Sequence, residues 1–232
     1  MVKYTDYLPD KNTRQRENVE WCIFYSFNAA DDKSPRVLTI GDSICYQYKD
    51  LLRDKLADKV NITSWATAKC TNDLTFLKDL EHILEYNRYD LITFNNGLHY
   101  LSCPTVFEEW YNAYCKTLEY IQAKLPGVPV SIVSNTPVNN AEKNPTVIML
   151  NEAVRKIAAE FNMPLIDLYA EMDKLDRSLY WSDEFHFKEP AKEIQAKIMA
   201  DHILTRLADV IANNDSELLQ KSSLTGPDGA IK

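Results

Sequence analysis

Three residues of this 232-residue chain have the types needed to turn a hydroxyl into a nucleophile: Ser43, Asp183 and His186. A serine hydroxyl attacks poorly at neutral pH unless a base takes its proton, and an imidazole does this best when a carboxylate holds its far nitrogen. Asp183 stands three residues before His186 in the run Asp183-Glu184-Phe185-His186. In one short loop that spacing lets the carboxylate reach one ring nitrogen and leaves the other free. Ser43 follows an apolar run at 36–40 and Gly41, and it precedes a helical pattern. Its hydroxyl is therefore expected at the carboxyl edge of a sheet, beside a helix N-terminus whose free N–H groups and positive dipole end favour an oxyanion. Taken alone, Ser43 also reads as the cap of that helix, and 183–186 as an acidic loop before a helix started by Pro190. Of the four histidines, His82 and His202 fall inside helical patterns and read as structural, which leaves His99 and His186 as candidates for chemistry.

The elements that must position these residues follow a rhythm. Short apolar runs at 36–40, 61–65, 90–96, 128–136 and 164–169 read as strands. Helical patterns separate them at 44–57, 73–86 with Asn72 as cap, about 106–124, and 145–162 with Pro145 near its start; a last helix runs from Pro190 to about Ala212. Strands alternating with helices predict an α/β fold, a five-stranded parallel sheet covered on both faces, with the flavodoxin-like order 2-1-3-4-5. Ligands of such sheets sit at the carboxyl ends of the strands. The stretches 41–43, 65–70, 95–99 and 134–137, and the loop before the last helix, should therefore converge. Residues 1–34 read as an N-terminal segment packed on the domain, 35–213 as the domain itself, and 214–232 as a mobile tail.

At this point the residues resemble a known family. Gly41-Asp42-Ser43-Ile44 is similar to the first conserved block of the SGNH/GDSL hydrolases, and Asp183-Glu184-Phe185-His186-Phe187 to their fifth. Both stand in the family's order, after the first strand and before the last helix. Phe94 to Leu101 falls where the family has its third block, and Gly97-Leu98-His99 matches a subset of members. The resemblance covers about residues 35–212. It implies a three-layer α/β/α sandwich and an esterase mechanism, with Ser43 as nucleophile, His186 as base and Asp183 as its orienting partner. It further implies an oxyanion hole built from the backbone of Ser43 and Ala68, with His99 or Asn96 as side-chain donor. No glycine follows the second strand, where the family usually has one, and Ala68 is the best match, or Lys69 if the loop slips by one. Asp42, Lys69 and Asn95 are the expected substrate contacts.

Composition narrows the partners. Lys plus Arg is 26 against 34 Asp plus Glu, a formal charge of −8. Such a chain repels phosphate backbones, so nucleic acid and membrane insertion are set aside in favour of a small-molecule or carbohydrate ester. A small acyl group, such as acetyl on a sugar, is the favoured substrate. A lipid ester or thioester is the alternative chemistry, and a non-catalytic carbohydrate-binding or scaffold protein the alternative class. The chain carries no long apolar lid segment. No metal or organic cofactor is implied. The five cysteines are odd in number and form no CxxC pair, and the first twenty residues have no apolar leader. Both features fit a cytoplasmic protein, or a periplasmic or secreted one if a leader has been removed. Cys45 is expected to pack inward rather than compete with Ser43, and Trp110, Tyr111, Tyr114 and Tyr120, at helical spacing, are expected in the core rather than as a sugar platform.

Overall fold

A computed structural model describes residues 2–11, 14–103, 105–214 and 216. The expected tail at 214–232 thus lies almost wholly outside the described residues. The strands are β1 (Cys22–Ser26), β2 (Arg36–Gly41), β3 (Asn61–Thr67), β4 (Leu91–Phe94), β5 (Val130–Val133) and β6 (Leu165–Ile166). The helices are α1 (Ser43–Leu56), α2 (Phe76–Tyr86), α3 (Phe107–Lys124), α4 (Asn144–Glu160), α5 (Leu168–Met172), α6 (Arg177–Tyr180) and α7 (Glu189–Arg206). One sheet runs in the order β1-β3-β2-β4-β5-β6. Without β1 this is the expected 2-1-3-4-5 parallel order.

β1 is the departure. The N-terminal segment adds a sixth strand, antiparallel to β3, with Phe24 opposite Trp65. Two smaller expectations also change. Asn72 does not cap α2: its amide donates to Thr105 at 2.6 Å, and the helix begins four residues later. The last strand is short, because Asp167 caps α5 by accepting from the Ala170 amide and turns the chain into helix.

The sheet divides two apolar layers. On one face Tyr48, Leu52 and Leu56 of α1 pack with Met199 and Ile203 of α7. On the other, Leu80 of α2, Trp110, Tyr114 and Ile121 of α3 and Val154 of α4 cover Leu38, Ile92 and Ile132. All six residues of β2 and all seven of β3 are buried, as expected of central strands sandwiched by helices. Trp110, Tyr114 and Tyr120 are fully enclosed, so they are core and not platform. Parallel pairing sets Gly41 opposite Ala66 and Ile40 opposite Phe94. That register brings the carboxyl ends of β2, β3 and β4 to one edge.

Candidate active site

Ser43 is the first residue of α1. Asp42 before it caps the helix, its Oδ1 accepting from the Ile44 amide at 2.9 Å. The Ser43 amide, in the first turn, has no intrahelical acceptor. Gly41 permits the tight strand-to-helix exit, since a Cβ there would stand 2.6 Å from Cys45 Cβ. Cys45 itself is buried against Ser64, and burial pushes its thiol up, so it is no rival nucleophile.

The partners of Ser43 arrive 140 residues later on a braced loop. Asp183 Oδ1 accepts the amides of Phe185 and His186, each at 2.8 Å, which folds the loop into a turn. Trp181 and Phe187 pair across that turn with ring centres 4.5 Å apart, and the Trp181 indole N–H reaches the Pro137 carbonyl. Glu184 ties the turn to the 139–143 segment through Asn140 and Lys143. In this setting His186 Nδ1 lies 2.9 Å from Asp183 Oδ2, and His186 Nε2 lies 2.8 Å from Ser43 Oγ. Partial burial alone would raise the Asp183 carboxyl. The bonds from the His186 amide and ring and from the Phe185 amide outweigh it, so the group sits below its ordinary range.

Ser43 and His186 share a cavity of about 400 Å³ with His99, Leu98 and Phe185. Tyr46 and Gln47 of α1 and Ser102 also line it, and Glu17, Trp21 and Ile23 of the N-terminal segment add a further wall. His99 stands in a 3₁₀ turn at 98–101 that opens on Gly97, where a Cβ would meet the Asn135 side chain at 2.2 Å. Glu17 Oε1 contacts His99 Nδ1 at 2.6 Å, and Trp21 meets the ring edge-on. His99 Nε2 is buried without a hydrogen-bond partner. Burial opposes a charge on this ring, but the Glu17 hydrogen bond, with the charges of Asp42 and Glu17, outweighs it and raises the group above its ordinary value.

The other expected site residues are engaged elsewhere. The Ala68 amide donates to the Trp21 carbonyl at 3.1 Å, because β1 extends the sheet there. The alternative Lys69 amide donates to Thr67 Oγ1. Lys69 Nζ is held by Thr75 and Asp79 and lies off the cavity. Asn96 is buried and ties down the 69–71 loop, its Nδ2 donating to the Lys69 carbonyl and its Oδ1 accepting from the Thr71 amide. Asn95 donates to the Val133 carbonyl and to Asn135, in an amide network that Asn151 completes. Asp42 is buried under α1. Of the expected oxyanion groups, only the Ser43 amide and His99 belong to residues on the cavity wall. Glu17 and Trp21 were not singled out by the sequence reading, and no spacing signal joins positions 17 and 99.

His202 bonds Ser131 at 2.9 Å and His82 is exposed, both away from the cavity. Among the described residues, no group of three or more His, Cys, Asp or Glu side chains is placed to hold a metal ion, and no helix is long and apolar enough to cross a membrane.

A family model described as GDSL-like lipase/acylhydrolase matches residues 39–194, two-thirds of the chain. The chain belongs to the GDSL-like lipase/acylhydrolase family. It is thus an ester-cleaving hydrolase of the SGNH type. Solved structures share the fold. An acetyl xylan esterase is 17% identical with a TM-score of 0.63, covering 72% of this chain and 99% of its own. A member of the lipolytic G-D-S-L family from Veillonella parvula DSM 2008 is 18% identical with a TM-score of 0.59, covering 77% and 99%. A carbohydrate esterase family 3 protein from Talaromyces cellulolyticus is 13% identical with a TM-score of 0.60, covering 75% and 99%. No curated protein matches the sequence. The family match begins at residue 39, so the GDSL-like region excludes the segment that carries Glu17, Trp21 and Ile23.

Proposed function

We propose that this GDSL-family hydrolase removes a small acyl group, such as acetyl, from a carbohydrate through an acyl-serine intermediate. The observation that carries the reading is the line Ser43 Oγ to His186 Nε2 to Asp183, at 2.8 and 2.9 Å. Both distances lie within the reach required for proton transfer between nucleophile, base and orienting group. Ser43 Oγ bonds to the acyl carbon as its proton passes to His186 Nε2. Asp183 keeps Nδ1–H oriented and stabilises the imidazolium that forms. The carbonyl oxygen gains negative charge, and the Ser43 amide and His99 Nε2–H are the donors that receive it. Collapse breaks the C–O bond of the ester, and the alkoxide leaves with the proton from His186. Water, deprotonated by the same ring, then releases the acid and frees Ser43 Oγ.

The substrate reading rests on the cavity and on the neighbours. A space of about 400 Å³ open to solvent suits a short acyl group, and Trp21, Ile23, Leu98 and Phe185 give it apolar lining beside the polar Ser43, His99 and His186. Structures of the same fold include an acetyl xylan esterase and a carbohydrate esterase. The test is a panel of p-nitrophenyl esters of rising chain length together with acetylated oligosaccharides, run with wild type and Ser43→Ala. Release of acetate from the sugars by wild type alone supports the reading. Preference for long acyl chains shifts it to lipid esters, and equal rates in both proteins remove Ser43 as nucleophile.

A further inference from the structure

Two carboxylate–imidazole pairs flank the cavity. One is Asp183 with His186. The other is Glu17 with His99, and its function is not explained by the nucleophile's activation. His99 is enclosed, with its side chain 13% exposed, and Nδ1 is held by Glu17 Oε1 at 2.6 Å. Nε2 is buried and bonds no protein group, on a residue that lines the cavity. A neutral ring that gives its one proton to Glu17 would present a bare lone pair at Nε2, which repels an oxyanion. A protonated ring presents N–H at both positions, one satisfied by Glu17 and one waiting for an acceptor. A buried polar atom without a protein partner is costly, so an acceptor that arrives with substrate relieves a defect that the protein leaves open.

Glu17 is held in place for this. The buried Asp73 carboxylate accepts from the Gln15 amide at 3.0 Å and pairs with the Arg16 guanidinium at 3.2 Å, fixing the two residues before Glu17. The Glu17 amide itself donates to Glu20 Oε1 at 2.8 Å. The clasp spans 58 residues of sequence and ties a segment outside the family's matched region to Asp73 inside it. We propose that Glu17 is a positioning residue for ester cleavage: by holding His99 Nδ1 it keeps that ring protonated, so that Nε2–H can donate to the substrate oxyanion.

The titratable groups around His99 are consistent with this role. Glu17 faces it from the N-terminal segment, and Asp42 from the β2–α1 junction. Cys103 faces it from the end of the 98–101 turn, and His186 borders the same cavity. Glu17 is the one that bonds the ring directly. Charged His99 and neutral His186 are required together, so activity should rise as the base deprotonates and fall again as His99 loses its proton. Glu17→Gln keeps an acceptor for Nδ1–H but removes the charge, and the folded value of His99 should drop.

This inference rests on the esterase reading, and the experiment separates the two. Profiles of kcat and KM against pH are measured with p-nitrophenyl acetate for wild type, Glu17→Gln, His99→Gln and the double variant. In parallel, the His99 ring is titrated by NMR in wild type and Glu17→Gln, which needs no turnover. The expected result is an alkaline limb displaced to lower pH by about one unit or more in Glu17→Gln, with the acid limb unmoved. At pH 8 its kcat should fall about ten-fold or more while KM stays within about two-fold. His99→Gln, a neutral donor, should lose the alkaline limb, and adding Glu17→Gln to it should change nothing further. The NMR titration of His99 should move to lower pH in Glu17→Gln. A profile lowered uniformly without displacement, or a His99 titration identical in both proteins, overturns the role of Glu17. An absence of esterase turnover in wild type with the NMR shift intact removes the esterase reading and leaves the Glu17–His99 coupling standing.

Discussion

Asp183 holds His186 at two points at once: Oδ1 accepts the backbone amide at 2.8 Å, and Oδ2 accepts from the ring at 2.9 Å. The same carboxylate therefore shapes the turn and selects the tautomer. Asp183→Asn keeps a backbone acceptor but presents a donor to the ring. It should lower kcat by about 10³–10⁴-fold with little change in KM, as expected when a base is held in the wrong tautomer. Asp183→Ala should lose the turn as well and add a fall in Tm, read by calorimetry. Because the folded carboxyl lies below its ordinary range, its stabilisation is present above the unfolded value and lost only as pH falls through the folded one.

The exit from β2 allows no side chain at Gly41. Gly41→Ala places a Cβ 2.6 Å from Cys45 Cβ and must push the first turn of α1, which carries Ser43. A loss of about 1–3 kcal/mol in denaturant unfolding is expected. The kcat should fall further than the unfolded fraction explains, since Ser43 Oγ moves off His186. Gly41→Ala with wild-type kcat would mean that the helix absorbs the methyl without displacing its first residue.

Asp73 is enclosed while it holds Gln15, Arg16 and Thr75. Asp73→Ala leaves those donors unsatisfied and should cost about 1–3 kcal/mol of stability. It should also reproduce the displaced alkaline limb of Glu17→Gln, because the residues that seat Glu17 come free. Lower stability with an unmoved limb would show that Glu17 is seated by other contacts.

The raised His99 ring has a stability signature of its own. A histidine raised in the folded state stabilises fully below its unfolded value, about 6.5, and the gain fades as pH rises through the folded value. The stability difference between wild type and Glu17→Gln should thus be largest below about pH 6.5 and shrink above it. Thermal unfolding at a series of pH values reads this directly, and a constant difference would count against a charged pair.

Much of this was legible in the chain before any coordinates. The runs of β2 to β5 are buried throughout because helices cover both faces, and their alternation with helical patterns gives the parallel order. Ser43 at the start of α1 and the Asp183–His186 pair ahead of α7 stand next to element boundaries that the sequence pattern marks. What escaped notice was what spans sequence. β1 is an edge strand with one neighbour, so Cys22 and Tyr25 stay exposed and the run lacks a buried signature. Ala68 was expected to face substrate, and without β1 nothing indicates that Trp21 takes its amide. Asn96 and Asn95 carry the right groups for a ligand, yet the 69–71 loop and the end of β5, far off in sequence, consume them. The contact of Glu17 with His99 crosses 82 residues, and Lys69 is held by Asp79 of α2 rather than left to face the cavity.

β1 and the stretch leading into it divide labour along the chain. The proposed reactive groups stand in 41–43 and 183–186, while Trp21 and Ile23, which line the same cavity, belong to the N-terminal segment. Trp21→Ala should change which alcohol or acyl partner is accepted, seen as altered KM ratios across the ester panel with kcat on the smallest ester preserved. Two relatives with identical motifs could then diverge in diet through this one strand. Sorting members of the family by their motifs alone would group enzymes that share a reaction and differ in what they receive.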